Sequence, residues 1–98
     1  MSKPDIDFIA ELEGIVKGRL AQGDDESYTV RLAAAGTKRI AQKVGEEGVE
    51  LALAAVAGSQ QEIVDEAADL IYHLIVLLAD KGLSIADIAA CLSARHAP

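Results

Sequence analysis

The sequence has few aromatic residues and a single cysteine, and both shortages narrow the possible fold. Aromatic residues make up 3% of the chain and tryptophan is absent, whereas hydrophobic residues reach 51%. The core must therefore be built from alanine, valine, isoleucine and leucine, a set that favours closely packed helices. Cys91 has no partner for an internal disulfide, and we expect it to be a small core residue.

The chain also lacks a long apolar run and an excess of positive charge. The stretch from Leu70 to Ala79 is interrupted by Tyr72 and His73 and is shorter than the roughly 20 residues that a membrane span needs. No apolar secretion signal follows Met1, so we expect a cytoplasmic protein that does not enter a membrane. The net charge of −7 argues against a broad surface for nucleic acid.

Glycines and helix-capping residues divide the first half of the chain into three predicted helices. Apolar residues at three- and four-residue intervals predict a helix over 5–20, which Gly18 is able to shorten, followed by a polar loop over 22–26. A short helix over 27–35 is expected to stop at Gly36 in a left-handed cap, and Thr37 then opens a longer helix to Ala57.

The second half of the chain carries two further helix start signals. Gly58 ends the third helix, and Ser59 with Glu62 has the form of a capping box for a fourth helix that runs to Lys81 and ends at Gly82. Ser84 opens a last helix. Its predicted inner stripe consists of Ile85, Ile88, Ala89 and Leu92.

These elements predict an all-α fold in one domain over residues 1–98. The two long helices are joined by a short turn and should form an antiparallel hairpin with short flanking helices. Such a hairpin needs further helices to cover its apolar side, and a domain of this size buries a limited fraction of its surface. We therefore expect self-association.

Polar residues fall on one side of each long helix. At about 100° per residue, one arc of the third helix carries Arg39, Lys43, Glu46, Glu47, Glu50 and Ala54. The opposite side of that helix is apolar and should be buried, and it carries Ile40, Val44, Leu51 and Ala55. A narrower arc of the fourth helix carries Glu62, Glu66, Asp69 and His73.

Antiparallel packing would bring these acids together. It places Glu50 near Glu62 or Glu66, and it places Glu47 near Asp69. Crowded carboxylates repel one another unless they bind protons or cations. Ligand sets made only of oxygen suit Mg²⁺ or Mn²⁺ rather than zinc, and magnesium in turn suggests a phosphorylated substrate. The alternative is that both stripes are solvated surfaces.

Three cationic side chains accompany the acids. Lys43 and Arg39, with Lys38 beside the stripe, suit phosphate oxygens, although Lys43 is also placed for a helical ion pair with Glu47. His73 suits substrate binding, a proton relay or a hydrogen-bonded place in the core.

Several segments together give the sequence a family resemblance. Over about residues 6–92, it resembles the phosphoribosyl-ATP pyrophosphohydrolases within the all-α nucleoside triphosphate pyrophosphohydrolase superfamily. The resemblance is carried by Lys43–Glu50, Glu66–Leu74, Ser27–Thr29, Gly36–Ile40 and Gly82–Ser84. It implies hydrolysis of the α,β-phosphoanhydride of phosphoribosyl-ATP, which yields phosphoribosyl-AMP and pyrophosphate in the second step of histidine biosynthesis.

The resemblance also implies roles for individual residues. Phosphate would be bound by Lys43, Arg39 and Lys38, and the substrate would further be contacted by Ser27, Thr29 and His73. Mg²⁺, or Mn²⁺ in its place, would be held by Glu47, Glu50, Glu66 and Asp69. The general base remains open between Glu46, Glu47 and a metal-activated water. A homodimer with sites near a four-helix interface is implied, and a separate phosphoribosyl-AMP cyclohydrolase is expected to act next.

Three alternative functions compete with the hydrolysis of phosphoribosyl-ATP. A house-cleaning pyrophosphohydrolase would use the same metal site on nucleoside triphosphates, whereas a non-catalytic helical module would need no metal. A di-iron bundle typically carries two Glu-x-x-His motifs, and neither His73 nor His96 follows a glutamate at that spacing.

Overall fold

The computed structural model describes residues 5–98. Within that range the chain forms helices joined by turns and loops, and it contains no strand. The helices are α1 (Phe8–Gln22), α2 (Tyr28–Ala35), α3 (Thr37–Ala57), α4 (Gln60–Asp80) and α5 (Ile85–Arg95). The all-α prediction is therefore confirmed. Within the described residues, no helix has both the length and the apolar character that crossing a membrane requires.

Helix α1 begins and ends later than its periodicity predicts. The carboxylate of Asp5 accepts a hydrogen bond from the backbone N–H of Asp7 at 2.9 Å, and this turn delays the start of the helix. Gly18 does not shorten it. The helix ends at Gly23, whose φ of +68° allows its N–H to bond to the carbonyl of Arg19.

One glycine links α2 to α3. Gly36 has φ +97° and ψ 169°, so it is not the left-handed helical cap that the sequence predicts, although its positive φ still favours glycine. It ends α2 and also serves as the N-cap of α3. Thr37 is the first residue of α3, and its hydroxyl donates to the Asp80 carboxylate at 2.6 Å. The start of α3 is thereby tied to the end of α4.

The turn between α3 and α4 follows the prediction closely. Ser59 and Glu62 form both hydrogen bonds of a capping box at the start of α4. A Cβ atom at Gly58 would lie 2.9 Å from the carbonyl oxygen of Ala54, so the chain passes too close for a larger residue. At the other end of α4, the N–H of Leu83 bonds to the carbonyl of Leu78 at 2.7 Å beyond Gly82, which completes the predicted glycine cap.

The stripe of α3 that carries Glu47 is turned toward the rest of the protein. Ile40, Glu47 and Ala54 are buried at intervals of seven residues, which is two helical turns. The prediction that the opposite side is buried is therefore wrong in part, because Ile40 lies on the same side as Glu47 and Ala55 is exposed. Further apolar residues of α3 are exposed, namely Val49, Leu53 and Val56.

The core joins the first four helices and is small. Its buried members are Val16, Leu32, Ile40, Ile75 and Val76. The radius of gyration is 14.8 Å, whereas a compact domain of 100 residues has about 13 Å. The single chain is thus more open than a domain whose apolar surface is fully covered.

Helix α5 is attached mainly through its start. The buried carboxylate of Glu13 accepts hydrogen bonds from the hydroxyl of Ser84 at 2.9 Å and from the N–H of Ile85 at 2.7 Å. No residue of α5 is buried, and Leu92 is 48% exposed. The prediction of an inner stripe is therefore wrong for the single chain, and Cys91 is exposed rather than part of the core.

Replacing Glu13 with alanine should release α5. The change removes two hydrogen bonds at a helix N-terminus, so we expect the free energy of unfolding to fall by about 2 kcal/mol. Denaturant unfolding measures this change, and hydrogen exchange should speed up in the amides of α5 before those of α4. Glu11→Ala, on the exposed side of α1, is the control and should leave both measurements nearly unchanged.

Candidate active site

Carboxylates from α3 and α4 meet in the middle of the hairpin. One oxygen each from Glu47, Glu66 and Asp69 lies within 4.8 Å of the other two. Glu47 is 6% exposed, because it shares the buried stripe of α3, whereas Asp69 is exposed at the edge of the group. The helix period and the antiparallel pairing of the two helices are sufficient to produce this convergence.

Glu50 joins the same group one turn along α3. Its carboxylate lies close enough to that of Glu66 to interact with it, although Glu50 is not one of the three acids whose oxygens converge. The interaction with Glu50, followed by burial and by the negative charges of Glu50, Glu47 and Asp69, raises the pKa of Glu66. The structure therefore brings together the four carboxylates that the sequence singles out.

Two oxygens in this group are well placed for a cation. Glu47 Oε2 and Glu66 Oε2 are buried and have no hydrogen-bond partner among residues 5–98. Buried polar atoms are usually paired, and a carboxylate oxygen left alone is costly. A hard divalent cation bound by oxygen ligands would satisfy both atoms and would relieve the repulsion. The carboxylate cluster, which we define as Glu47, Glu50, Glu66 and Asp69, thus fits Mg²⁺.

Lys43 is the cation nearest to the buried end of the cluster. Its ammonium lies 3.4 Å from Glu47 Oε1, and its side chain is 22% exposed. Burial pulls the pKa of Lys43 down, but the hydrogen bond to Glu47 and the nearby Tyr28, Glu47 and Glu46 outweigh it, so the pKa is raised. Lys43 is therefore charged at neutral pH and faces the cluster.

The remaining charged residues of α3 lie farther out. Arg39 and Glu46 form an ion pair at 3.5 Å, and both side chains are more than 40% exposed. Glu46 is absent from the group of converging ligands. Lys38 is exposed and lies nine residues before Glu47, which places it about 180° around the helix from that residue. The structure therefore does not bring Lys38 to the cluster.

His73 lies one turn beyond Asp69 and is 6% exposed. Its Nδ1 lies 2.7 Å from the backbone carbonyl of Asp69, and its Nε2 lies 2.8 Å from the hydroxyl of Tyr28. A carbonyl only accepts, so Nδ1 carries the hydrogen, and in the neutral imidazole Nε2 accepts from Tyr28. Both ring nitrogens are therefore used within the chain.

Ser27 and Thr29, which are both predicted to contact the substrate, have hydrogen-bond partners inside the chain. Ser27 caps α2, and its hydroxyl accepts from the N–H of Val30. Thr29 is fully buried, and its hydroxyl is hydrogen-bonded to that of Tyr72. Tyr28 lies between them and is 44% exposed. Sequence reasoning missed Tyr28, because only its tertiary pairing with His73 distinguishes it from an ordinary helical surface residue.

The raised pKa of Glu66 makes stability depend on pH when no metal is bound. Folded protein holds the Glu66 proton more tightly than the unfolded chain does, so this stabilisation is present below the ordinary pKa of 4.5 and is lost as pH rises through the raised value. Glu66→Gln imitates the protonated form. In chelator, wild type should match the variant near pH 4 and melt at lower temperature as pH rises.

Magnesium should remove this difference at neutral pH, because it neutralises the repulsion that destabilises wild type. Melting temperatures in chelator and in Mg²⁺ test the expectation. Asp65→Asn, which changes an exposed acid of α4, is the control and should follow wild type in both conditions. A gap between wild type and Glu66→Gln that stays constant over the pH range would contradict the assignment of the raised pKa.

Comparison with known proteins identifies the family of the chain. A family model described as phosphoribosyl-ATP pyrophosphohydrolase matches residues 9–96. The chain is 54% identical to the histidine biosynthesis bifunctional protein HisIE of Photobacterium profundum over 94 residues, which are 96% of this chain and 45% of that protein. The protein of the same name from Campylobacter jejuni is 53% identical over 92 residues, or 94% and 44% of the two lengths.

The chain therefore spans less than half the length of these relatives, which their names describe as bifunctional. The expectation that a separate cyclohydrolase acts next stays a prediction. The family match covers all the residues of the carboxylate cluster, and it confirms the resemblance seen in the sequence. This chain belongs to the phosphoribosyl-ATP pyrophosphohydrolase family.

Proposed function

We propose that the chain hydrolyses the α,β-phosphoanhydride of phosphoribosyl-ATP and releases phosphoribosyl-AMP and pyrophosphate. One observation carries the proposal: Glu47, Glu66 and Asp69 converge within 4.8 Å, and buried carboxylate oxygens among them lack partners. A triphosphate chain brings negative charge that only a cationic site is able to hold. Family membership supports this substrate over other phosphoanhydrides.

The carboxylate cluster would hold Mg²⁺, and Mn²⁺ would also suit its oxygen ligands. When bound, the metal polarises the phosphoryl oxygens and stabilises the departing pyrophosphate. Glu50 and Glu66 would both bind the cation as ionised carboxylates. Because the cluster lies on two rigid helices, its geometry is set before substrate arrives.

Lys43 and Arg39 are the cations that we assign to phosphate. Lys43 lies against Glu47 at the inner end of the cluster, whereas Arg39 lies at the exposed edge and is paired with Glu46. The two would bind different oxygens of the phosphate chain. Lys38 faces the other side of α3, so we leave it out of the site.

For the general base we favour Glu46 over Glu47. A carboxylate that binds a cation loses basicity, and Glu47 lies among the metal ligands. Glu46 lies outside that group, and we therefore assign to it the proton of the attacking water, with Arg39 at 3.5 Å orienting its carboxylate.

The exposed apolar residues of α3 support a homodimer in which the hairpins of two copies form a four-helix bundle. Leu53 is 64% exposed and Val56 is 86% exposed, although both lie on a long regular helix. Leu53 also lines an open cleft together with Glu50 and Glu66, so a second copy on this face would adjoin the carboxylate cluster. Burying this surface is favourable by the hydrophobic effect.

Pyrophosphate release from phosphoribosyl-ATP in Mg²⁺ tests the function. Wild type should turn over, and Glu50→Gln should lose activity by more than about 100-fold because a metal ligand becomes neutral. The variant should stay folded, since it removes one of four repelling charges. Asp65→Asn, on an exposed position of α4 outside the cluster, is the matched control and should keep its activity.

The control substrates are ATP and deoxynucleoside triphosphates. We expect little turnover of either, because they lack the second phosphoribosyl group. Equal turnover of deoxynucleoside triphosphates would instead assign the chain to nucleotide house-cleaning. No turnover of any substrate by folded, magnesium-loaded protein would favour a non-catalytic module.

A charged residue at Leu53 tests the dimer. Leu53→Glu would place a carboxylate in the apolar interface, so we expect light scattering after size exclusion to report the mass of one chain instead of two. Leu92→Glu, on the exposed part of α5, is the control and should leave the dimer intact. A Leu53→Glu protein that remains dimeric would show that another face forms the contact.

A further inference from the structure

A second cleft shares none of its lining residues with the carboxylate cluster and has no part in the hydrolysis proposed for that cluster. It is formed by the end of α1, the following loop and the start of α2, and its volume is about 330 Å³. Its lining residues are Arg19, Gln22, Asp24, Glu26, Ser27 and Tyr28. The volume falls within the range of small-molecule sites.

The loop that forms one wall of this cleft is held in place. Arg31 donates hydrogen bonds to the backbone carbonyls of Asp25 at 3.0 Å and Glu26 at 2.8 Å. The N–H of Ser27 bonds to the carbonyl of Asp24 at 2.9 Å. A loop fixed at these points presents its side chains without first having to be ordered, which favours binding.

Tyr28 separates the cleft from the carboxylate cluster. It lines the cleft, and its hydroxyl bonds to His73, which in turn bonds to the backbone of the metal-ligand candidate Asp69. Tyr28 also lies close enough to Lys43 to affect that residue electrostatically. A ligand that reaches across Tyr28 would therefore have one end in the cleft and the other near the metal site.

The side chains of the cleft suit a phosphorylated sugar. The hydrogen of the Tyr28 hydroxyl is used by His73, so its oxygen is free only to accept, and the carboxylates of Asp24 and Glu26 are likewise acceptors. Sugar hydroxyls donate to such groups, whereas phosphate oxygens do not. Arg19 supplies the positive charge that a phosphate needs, and among the described residues it has no carboxylate within ion-pair distance.

We infer that this cleft binds the phosphoribosyl group of the substrate, with Arg19 on its phosphate and Tyr28 on a ribose hydroxyl. The inference rests on the proposed function, because phosphoribosyl-ATP has that group and ordinary nucleotides lack it. His73 is then a positioning residue, which orients Tyr28 and does not itself touch the substrate. The cleft distinguishes the pathway substrate from ATP, while the carboxylate cluster recognises the phosphate chain that both share.

Affinities for phosphoribosyl-AMP and AMP test this assignment without any turnover. Calorimetry on wild type in Mg²⁺ should show tighter binding of phosphoribosyl-AMP than of AMP. Arg19→Met should weaken phosphoribosyl-AMP roughly tenfold, and Tyr28→Phe roughly threefold, with AMP unchanged in both. Lys17→Met, an equal loss of charge on the same helix and outside the cleft, is the control and should keep the ratio of the two affinities.

The ratio of the affinities for phosphoribosyl-AMP and AMP distinguishes the loss of a specific contact from misfolding, because a misfolded variant would bind both ligands more weakly. Unchanged ratios in Arg19→Met and Tyr28→Phe would overturn the inference, and so would equal binding of the two ligands by wild type. Turnover of phosphoribosyl-ATP by wild type reports on the proposed function separately. The expected affinity ratios without any turnover would support the phosphoribosyl subsite and contradict the proposed hydrolase activity.

Discussion

The packing of α3 against α4 places carboxylates where a helical hairpin would ordinarily place apolar side chains. Glu47 occupies the buried stripe of α3 between Ile40 and Ala54, and Glu66 meets it from α4. Burying charges of one sign is unfavourable, so the hairpin needs compensation at this point. Lys43 pairs with one oxygen of Glu47, and the raised pKa of Glu66 favours the neutral form of a second carboxylate. Among the described residues, nothing pairs with the two buried oxygens Glu47 Oε2 and Glu66 Oε2, so their burial stays uncompensated within the chain.

The same constraint organises the surrounding helices. His73 follows Asp69 by one turn on α4, and it fixes Tyr28 at the start of α2, so the short helix is aligned with the acids of the hairpin. Thr29 and Tyr72 form a second link between these helices. The carboxylate cluster on the long helices and Tyr28 on the shorter helix are thus joined by hydrogen bonds rather than by apolar packing alone.

Much of this arrangement was predictable from the sequence, since local signals set it. The capping box at Ser59 and the glycines at 58 and 82 mark the hairpin, and the helical period aligns Glu47 with Glu50 and Glu66 with Asp69. Local sequence signals do not report the contacts between helices. Exposure of α5 depends on which helices cover it, and the role of Tyr28 depends on a histidine 45 residues away. The turn at Asp5 also competes with the start of α1 in a way that apolar periodicity does not register.

The close passage of the chain at Gly58 restricts the conformation of the hairpin turn. A Cβ at this position would lie 2.9 Å from the Ala54 carbonyl oxygen, so the turn that joins the two long helices is tightly packed. One residue added within α4 ahead of Glu66 would rotate the acids that follow it by about 100° and shift them by about 1.5 Å along the axis. The loop between α1 and α2 carries no such phase relation to the acids. Tolerance to insertion in this fold is therefore set by helical phase, and it should be lowest in the hairpin, whose two helices both carry acids of the cluster.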